Sequence, residues 1–390
     1  MDYNKRALEM HEKHKGKIEI KSKMPLDNQD DLATAYTPGV AEPCRAIHKT
    51  PSDVYKYTSK GNMVAVISDG SAVLGLGNIG PEAAIPVMEG KAILFKAFAN
   101  VDAFPICLKS QDVDTIVETI YQISPMFGGI NLEDISSPRC VEVERKLKEL
   151  LDIPVFHDDQ HGTAIVVSAA LINALKLVSK SIDSVRIVIN GAGSAGNAIA
   201  RMLIDLGAKN ILTCDRNGIL TSEEPQNNWV KDEIAMLTNP DKLSGSLTDA
   251  MIGADVFIGV SSKDAVNESM VKSMASDAIV FAMANPDPEI MPDLAFRAGA
   301  RIVGTGRSDF ANQINNVLAF PGIFRGALDA RATDINEAMK TAAVYAIADL
   351  VKVEELREDY IIPGALDESI SSAVSRAVYD AAIKSGVGTK

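Results

Sequence analysis

The chain lacks paired cysteines. Its four, Cys44, Cys107, Cys140 and Cys214, lie far apart and form no C-x-x-C motif. Nothing suggests a disulfide framework, and a reduced, cytoplasmic setting is the simplest expectation. Each cysteine reads as core filler, the usual fate of a free thiol. An excess of positive charge is also missing. The formal net charge is −13, which argues against a nucleic-acid surface, since that needs a basic stripe. The N-terminal MDYNKRALEMHEKHKGK has no apolar core and is not read as a secretory signal. The longest apolar stretch, TAIVVSAALINALKLV, is broken by Asn173 and Lys176 at helical spacing. It reads as a core helix, so no membrane partner is expected. No Gly/Ser or Pro tract signals disorder.

What is present is ample material for a core. Of 390 residues, 46% are hydrophobic, and that length suits two or three domains. Strand-like runs alternate with helical patterns, which indicates α/β architecture. Residues 63–67, 104–108, 128–132 and 154–156 read as strands of a first unit. Residues 185–190, 210–214, 255–260, 278–284 and 301–304 read as strands of a second. A helix beginning after Gly162 places the boundary near 160, so residues 1–160 and 161–390 are expected to form two domains. The tail, with INEAMKTAAVYAIADLV and ESISSAVSRAVYDAAI, reads as two Ala-rich helices, the last able to return to the first domain.

Two stretches satisfy G-x-G-x-x-G: GLGNIG at 75–80 and GAGSAG at 191–196. GAGSAG follows an apolar strand and opens a helix, and the next strand ends in Asp215. That carboxylate falls about 20 residues past the last glycine, where it can bind ribose hydroxyls. Gly191, Gly193 and Gly196 allow a tight turn, and Ser194 opens a helix whose free N–H groups and dipole favour a pyrophosphate. GLGNIG does not meet these conditions. The preceding strand stops at the turn SDG, AVLG reads as a short return strand, and Asp102 precedes its strand instead of ending it. GLGNIG is therefore either a bare turn or a backbone-lined wall of a substrate pocket, with Lys91 on the following helix.

The first unit also gathers acids where strands stop. GGINL runs into Glu133 and Asp134, and PVF runs through His157 into Asp158 and Asp159. Ligands of open parallel sheets bind at that edge. Two carboxylates about 4 Å apart repel by roughly 4 kcal/mol at an effective dielectric near 20, so the cluster needs a cation or must keep a proton. Oxygen-only ligands favour Mg²⁺ or Mn²⁺. HDDQH imitates the zinc motif H-E-x-x-H, but that motif works on a helix. Here the segment is expected to end a strand, with Thr163 capping the helix beyond. Lys91 and Tyr36 admit ordinary surface or packing roles as well as catalytic ones. Asn285 and Asn315, near ends of the second unit's strands, suit contacts to nicotinamide or substrate carboxylates.

Together YTPGVA, SDGSAVLGLGNIGPEAAIPVMEGKA, GGINLEDI, PVFHDDQHGTA, GAGSAG, ANPDPEI and SDFANQINNVLAFPGIFRGAL resemble the malic enzymes, closest in length to the small bacterial and archaeal type. The resemblance implies an N-terminal α/β substrate and metal domain, a Rossmann-type NAD(P)-binding domain and C-terminal helices. It implies oxidative decarboxylation of (S)-malate to pyruvate and CO₂, with NAD or NADP reduced and Mg²⁺ or Mn²⁺ required. A malolactic enzyme, which releases lactate without net cofactor reduction, is the alternative inside the family. By motif position Glu133, Asp134 and Asp159 would ligate the metal. Lys91 would be the general base, tuned by Asp158, and Tyr36 the general acid. Asn285 and Asn315 would contact substrate, with Asn285 also at the nicotinamide. A lysine base needs its pKa brought from about 10.4 towards 7–8, and burial is expected to push that way. Larger members carry an arginine where this chain has Ala72, which leaves the substrate's carboxylate anchor open. Asp215 favours NAD, while Arg216 could attract a 2′-phosphate. A homodimer is implied, in which Tyr36 and Lys91 could meet from different subunits.

Overall fold

The computed structural model describes residues 3–389 and builds them around two sheets. The first holds β1 (Met63–Ser68), β2 (Asp102–Cys107), β3 (Gly129–Leu132) and β4 (Val155–His157), all parallel, in the order β2-β1-β3-β4. The second holds β5 (Arg186–Asn190), β6 (Asn210–Asp215), β7 (Gly218–Ile219), β8 (Val256–Gly259), β9 (Ile279–Ala282) and β10 (Ile302–Thr305). Its order is β10-β9-β8-β5-β6-β7, with only β7 antiparallel to its neighbour. The central strands are buried on both faces, which is why they read as continuous Val/Ile runs. Each order reverses once, at β1/β3 and at β5/β8. At such switch points crossovers diverge to opposite sides and leave a crevice beyond the carboxyl ends.

The two halves share one core. Phe95, from the Pro81–Ala99 helix of the first half, stacks edge-on against Phe320 and Phe324, with ring centres 4.7 and 5.3 Å apart. Phe156 of β4 meets Phe324 at 5.9 Å. Phe320 and Phe324 belong to the Phe320–Asp329 helix, which follows the second sheet. The closing helix, Ser369–Ser385, crosses that helix at close range, because a side chain at Gly322 or Gly326 would run into Val374 or Val378. It also touches the Pro81–Ala99 helix, the return to the first half expected from the sequence. The other expected tail helix spans Glu337–Ala348.

Two expectations about turns fail, and one short strand goes unforeseen. AVLG forms no return strand; Leu74–Leu76 is a single 3-10 turn closed by a lone bridge from Val73 to Gly77. HDDQH does not simply end a strand. Asp158–Gly162 is a wide π-helical turn running straight into the Thr163–Val178 helix, so no break exists for Thr163 to cap. The two-residue strand β7 was too short to show a pattern. The continuous helical stretch Asp158–Val178 is long and apolar enough to cross a membrane, but 72% of its apolar window is buried inside the fold.

Candidate active site

Each crevice carries some of the residues that the sequence singled out. At β5/β8 the second sheet opens a cleft of about 580 Å³ lined by Gly191, Gly193, Asp215, Arg216 and Ser261. Gly191 sits at φ 127° with its missing side chain facing the Val260 carbonyl, and a side chain at Gly196 would strike the Gly191 carbonyl. Gly193 faces open space at the mouth of the Ser194–Asp205 helix. The first glycine thus serves the turn, the second admits a ligand, and the third seats the helix on the strand. Ser137, from the first half, lines the same cleft.

Asp215, which lines this cleft, is already partnered within the chain. Its Oδ2 accepts from Lys231 Nζ at 2.6 Å and its Oδ1 from the Asn217 N–H at 2.8 Å. Arg216 is exposed beside it. One cation, Lys231, thus pairs with the carboxylate, and a second, Arg216, lines the same cleft. Lys231 gave no sequence signal, since it belongs to the Trp229–Thr238 helix, a long loop away.

At β1/β3 the acids converge on one lysine. Lys91, only 8% exposed, donates to Asp158 Oδ2 at 2.6 Å, lies 3.0 Å from Glu133 Oε1 and stands 4.2 Å above the Phe320 ring. Glu133 also accepts from Asn131 at 2.9 Å. Asp159 Oδ2 accepts from the Asp134 N–H at 2.8 Å, and Asp134 holds a left-handed φ of 54°. The Asp134 carbonyl in turn accepts from Ala72 N at 2.9 Å. Gly162 is a glycine for space, because a side chain there would collide with Asp158 Oδ1 and press on Asn316.

The electrostatics depart from the sequence expectation at Lys91. Burial alone would lower its pKa, but Asp158 and Glu133 outweigh burial and hold it above the ordinary lysine value. Burial raises Glu133, Asp158 and Asp159, with Lys91 opposing it; repulsion from Asp159 adds at Glu133, and from Glu133 at Asp158. Asp158 Oδ1 is buried without a hydrogen-bond partner. Crowded carboxylates that one ammonium does not neutralise suit a hard divalent cation in kind. In arrangement they fall short of a cage: among the described residues no three His, Cys, Asp or Glu side chains are grouped to hold a metal. The histidines of HDDQH take no such role. Among the described residues no grouping gives them a metal to share; His157 is fully buried, and His161 is engaged by Glu144.

GLGNIG proves to be a contact between the halves. A side chain at Gly75 would run into the Asn285 carbonyl, so this loop abuts the end of the second sheet. Asn285 is exposed at that junction, and Asn315 caps the Asn316–Leu318 turn through Val317 N. Tyr36 stands apart. It is 68% exposed on the N-terminal arm, and no described hydrogen bond links it to the Lys91 cluster. Sequence reasoning missed Asp69, fully buried, which accepts from the Ser71 N–H and from Arg139 Nη2 at 3.0 Å. Its available signal was the D-x-S turn pattern of SDGS.

With this geometry in view, residues 15–148 match the malic enzyme N-terminal domain family and residues 160–383 the malic enzyme NAD binding domain family. A bifunctional malic/malolactic enzyme of Bacillus subtilis is 59% identical over 388 residues, covering 99% of this chain and 95% of its own. An NAD-dependent malic enzyme of Geobacillus stearothermophilus is 56% identical, covering 96% and 78%. The crystal structure of an NAD-dependent malic enzyme from Thermotoga maritima superposes with a TM-score of 0.92 at 51% identity, covering 96% and 98%.

Proposed function

The chain belongs to the malic enzyme family, and from that premise we propose that it oxidatively decarboxylates (S)-malate to pyruvate and CO₂ while reducing NAD(P)⁺. One observation carries the reading: Lys91 is buried between Glu133 and Asp158 at the β1/β3 crevice, in the half that contributes Ser137 to the dinucleotide cleft. Lys91 takes the proton of the C2 hydroxyl as hydride leaves for nicotinamide, and Asp158 holds its ammonium in place. The resulting β-keto acid loses CO₂, and Tyr36 protonates the enol. Asn285 and Asn315 orient substrate and nicotinamide. Glu133, Asp134 and Asp159 would hold the divalent cation customary for this family. When bound, such an ion would supply Lewis-acid charge to the substrate and would offset the carboxylates that raise Lys91.

Tyr36 reaches the site from a second copy in this reading. Its exposure is one support. The apolar residues Leu8, Ile18, Ile20 and Leu26, exposed on the same arm, are another. Such a surface favours an isologous dimer. For the cofactor, Lys231 and Arg216 against Asp215 leave the adenosine end tolerant of a 2′-phosphate, so both dinucleotides are substrates. The deciding experiment is initial rate with malate and Mn²⁺, comparing NAD⁺ with NADP⁺ and assaying pyruvate and lactate. Reduced cofactor and pyruvate appear in equal amounts in this reading. Lactate without a rise in reduced-cofactor absorbance would replace it with the malolactic reaction, the second activity named for the Bacillus subtilis relative.

A further inference from the structure

Behind the acid turn lies a buried chain of groups that the reaction does not use. Glu144, on the Arg139–Leu150 helix, is almost wholly buried, and among the described residues its side-chain hydrogen bonds come from residues 157–161. Its Oε1 accepts from the His157 N–H at 3.2 Å. Its Oε2 accepts from Gln160 Nε2 at 3.4 Å and from His161 Nε2 at 2.9 Å. On the other side of the imidazole, Lys340 Nζ lies 3.3 Å from His161 Nδ1. An ammonium has only donors, so Nδ1 must carry the lone pair and Nε2 the proton. Lys340 is 3% exposed and belongs to the Glu337–Ala348 helix, and its second partner is Glu337 at 2.5 Å.

The chain therefore runs from the first half, through the acid turn, to a helix near the end of the sequence. Asp158 and Asp159 are the two residues between its anchor points at 157 and 160. A π-helical turn is rare and often marks a functional site, and Glu144 adds three side-chain hydrogen bonds to the backbone bond that closes this one. We infer that Glu144, His161 and Lys340 are positioning residues which set Asp158 and Asp159 towards Lys91, so that seating of the Glu337–Ala348 helix tunes the acid cluster. The inference rests on the reading of Glu133, Asp134 and Asp159 as the cation site. Partners lying behind metal ligands typically change metal affinity by about 10–100-fold when lost.

The test uses the full chain and Mn²⁺ alone as probe. Free Mn²⁺ is counted by electron paramagnetic resonance, and NADH binding is followed separately by fluorescence. His161→Leu removes both hydrogen bonds at constant bulk. It is expected to weaken Mn²⁺ binding by about tenfold or more while NADH affinity stays within about twofold. His161→Gln can still donate to Glu144 and accept from Lys340, and is expected to restore Mn²⁺ affinity to within about threefold. A merely structural imidazole would show no such rescue. Should His161→Leu fail to fold, His161→Gln against Lys340→Met gives the same comparison. Unchanged Mn²⁺ affinity in the leucine variant, or equal losses in both His161 variants, overturns the inference. If the wild-type chain binds no Mn²⁺, the cation reading falls first and takes the inference with it.

Discussion

At the scale of single residues, the site is a competition over one ammonium group. Lys91 is held protonated by Asp158 and Glu133, so its role as base depends on relieving that charge. Lys91→Ala is expected to reduce malate turnover at least about a thousandfold, within the 10²–10⁴ contributed by a positioned acid or base. NADH affinity should be unchanged, since the 191–196 glycines lie in the other sheet; turnover above a tenth of normal would remove the base assignment. Gly162→Ala is a subtler probe. The added methyl meets Asp158 Oδ1, so the carboxylate must swing away from Lys91, and kcat should fall about tenfold or more with dinucleotide binding intact. A variant with wild-type kcat would mean that Asp158 has room to spare. These positions were legible because spacing alone puts Glu133, Asp134, Asp158 and Asp159 at strand ends. The sign of the Lys91 shift was not. Burial is visible in an apolar helix, but the two carboxylates beside it arrive from strands 40 and more residues away.

At the scale of elements, the sequence disclosed strands better than turns. Val/Ile runs at 63–68 and 186–190 mark strands buried on both faces, and the G-x-G-x-x-G at 191 announces the tight turn and helix after β5. The π-helical turn at 158–162 was hidden because its cause is tertiary: the carboxylate of Glu144 lies on another helix. That carboxylate also gives the turn a pH signature. Burial opposes its ionisation, but His161, then Lys148 and His157, outweigh burial and hold Glu144 down at about 2, below the usual 4.5. A depressed carboxyl contributes stability fully above the unfolded value and loses it as pH falls through the folded one. The melting temperature should therefore decline as pH drops from about 4.5 towards 2, and Glu144→Gln should flatten that decline while lowering the plateau. Parallel acid limbs in the two proteins would assign the decline elsewhere. GLGNIG was ambiguous for a similar reason, since only the approach of the Asn285 carbonyl explains Gly75.

For the whole molecule, the two sheets are joined by aromatic packing more than by a linker. Phe324 is fully buried and meets both Phe95 and Phe156. Phe324→Ala should cost about 3–5 kcal/mol, measured by denaturant unfolding, and should lower both halves together; two separated transitions would show that each half is stable alone. The assembly has its own test. If Tyr36 and Lys91 meet across a dimer, mixing inactive Tyr36→Phe and Lys91→Ala chains and letting subunits exchange should recover about a quarter of normal activity, because half the dimers are mixed and each has one intact site. No recovery despite exchange would put both residues in one subunit. The shared aromatic cluster also bears on how the protein is made. Phe95 and Phe156 leave the ribosome long before Phe320 and Phe324, and the helix that locks those in place, Ser369–Ser385, emerges later still. Until that helix emerges, the nascent first sheet must carry a greasy, unfinished face, the kind of transiently exposed surface that invites aggregation.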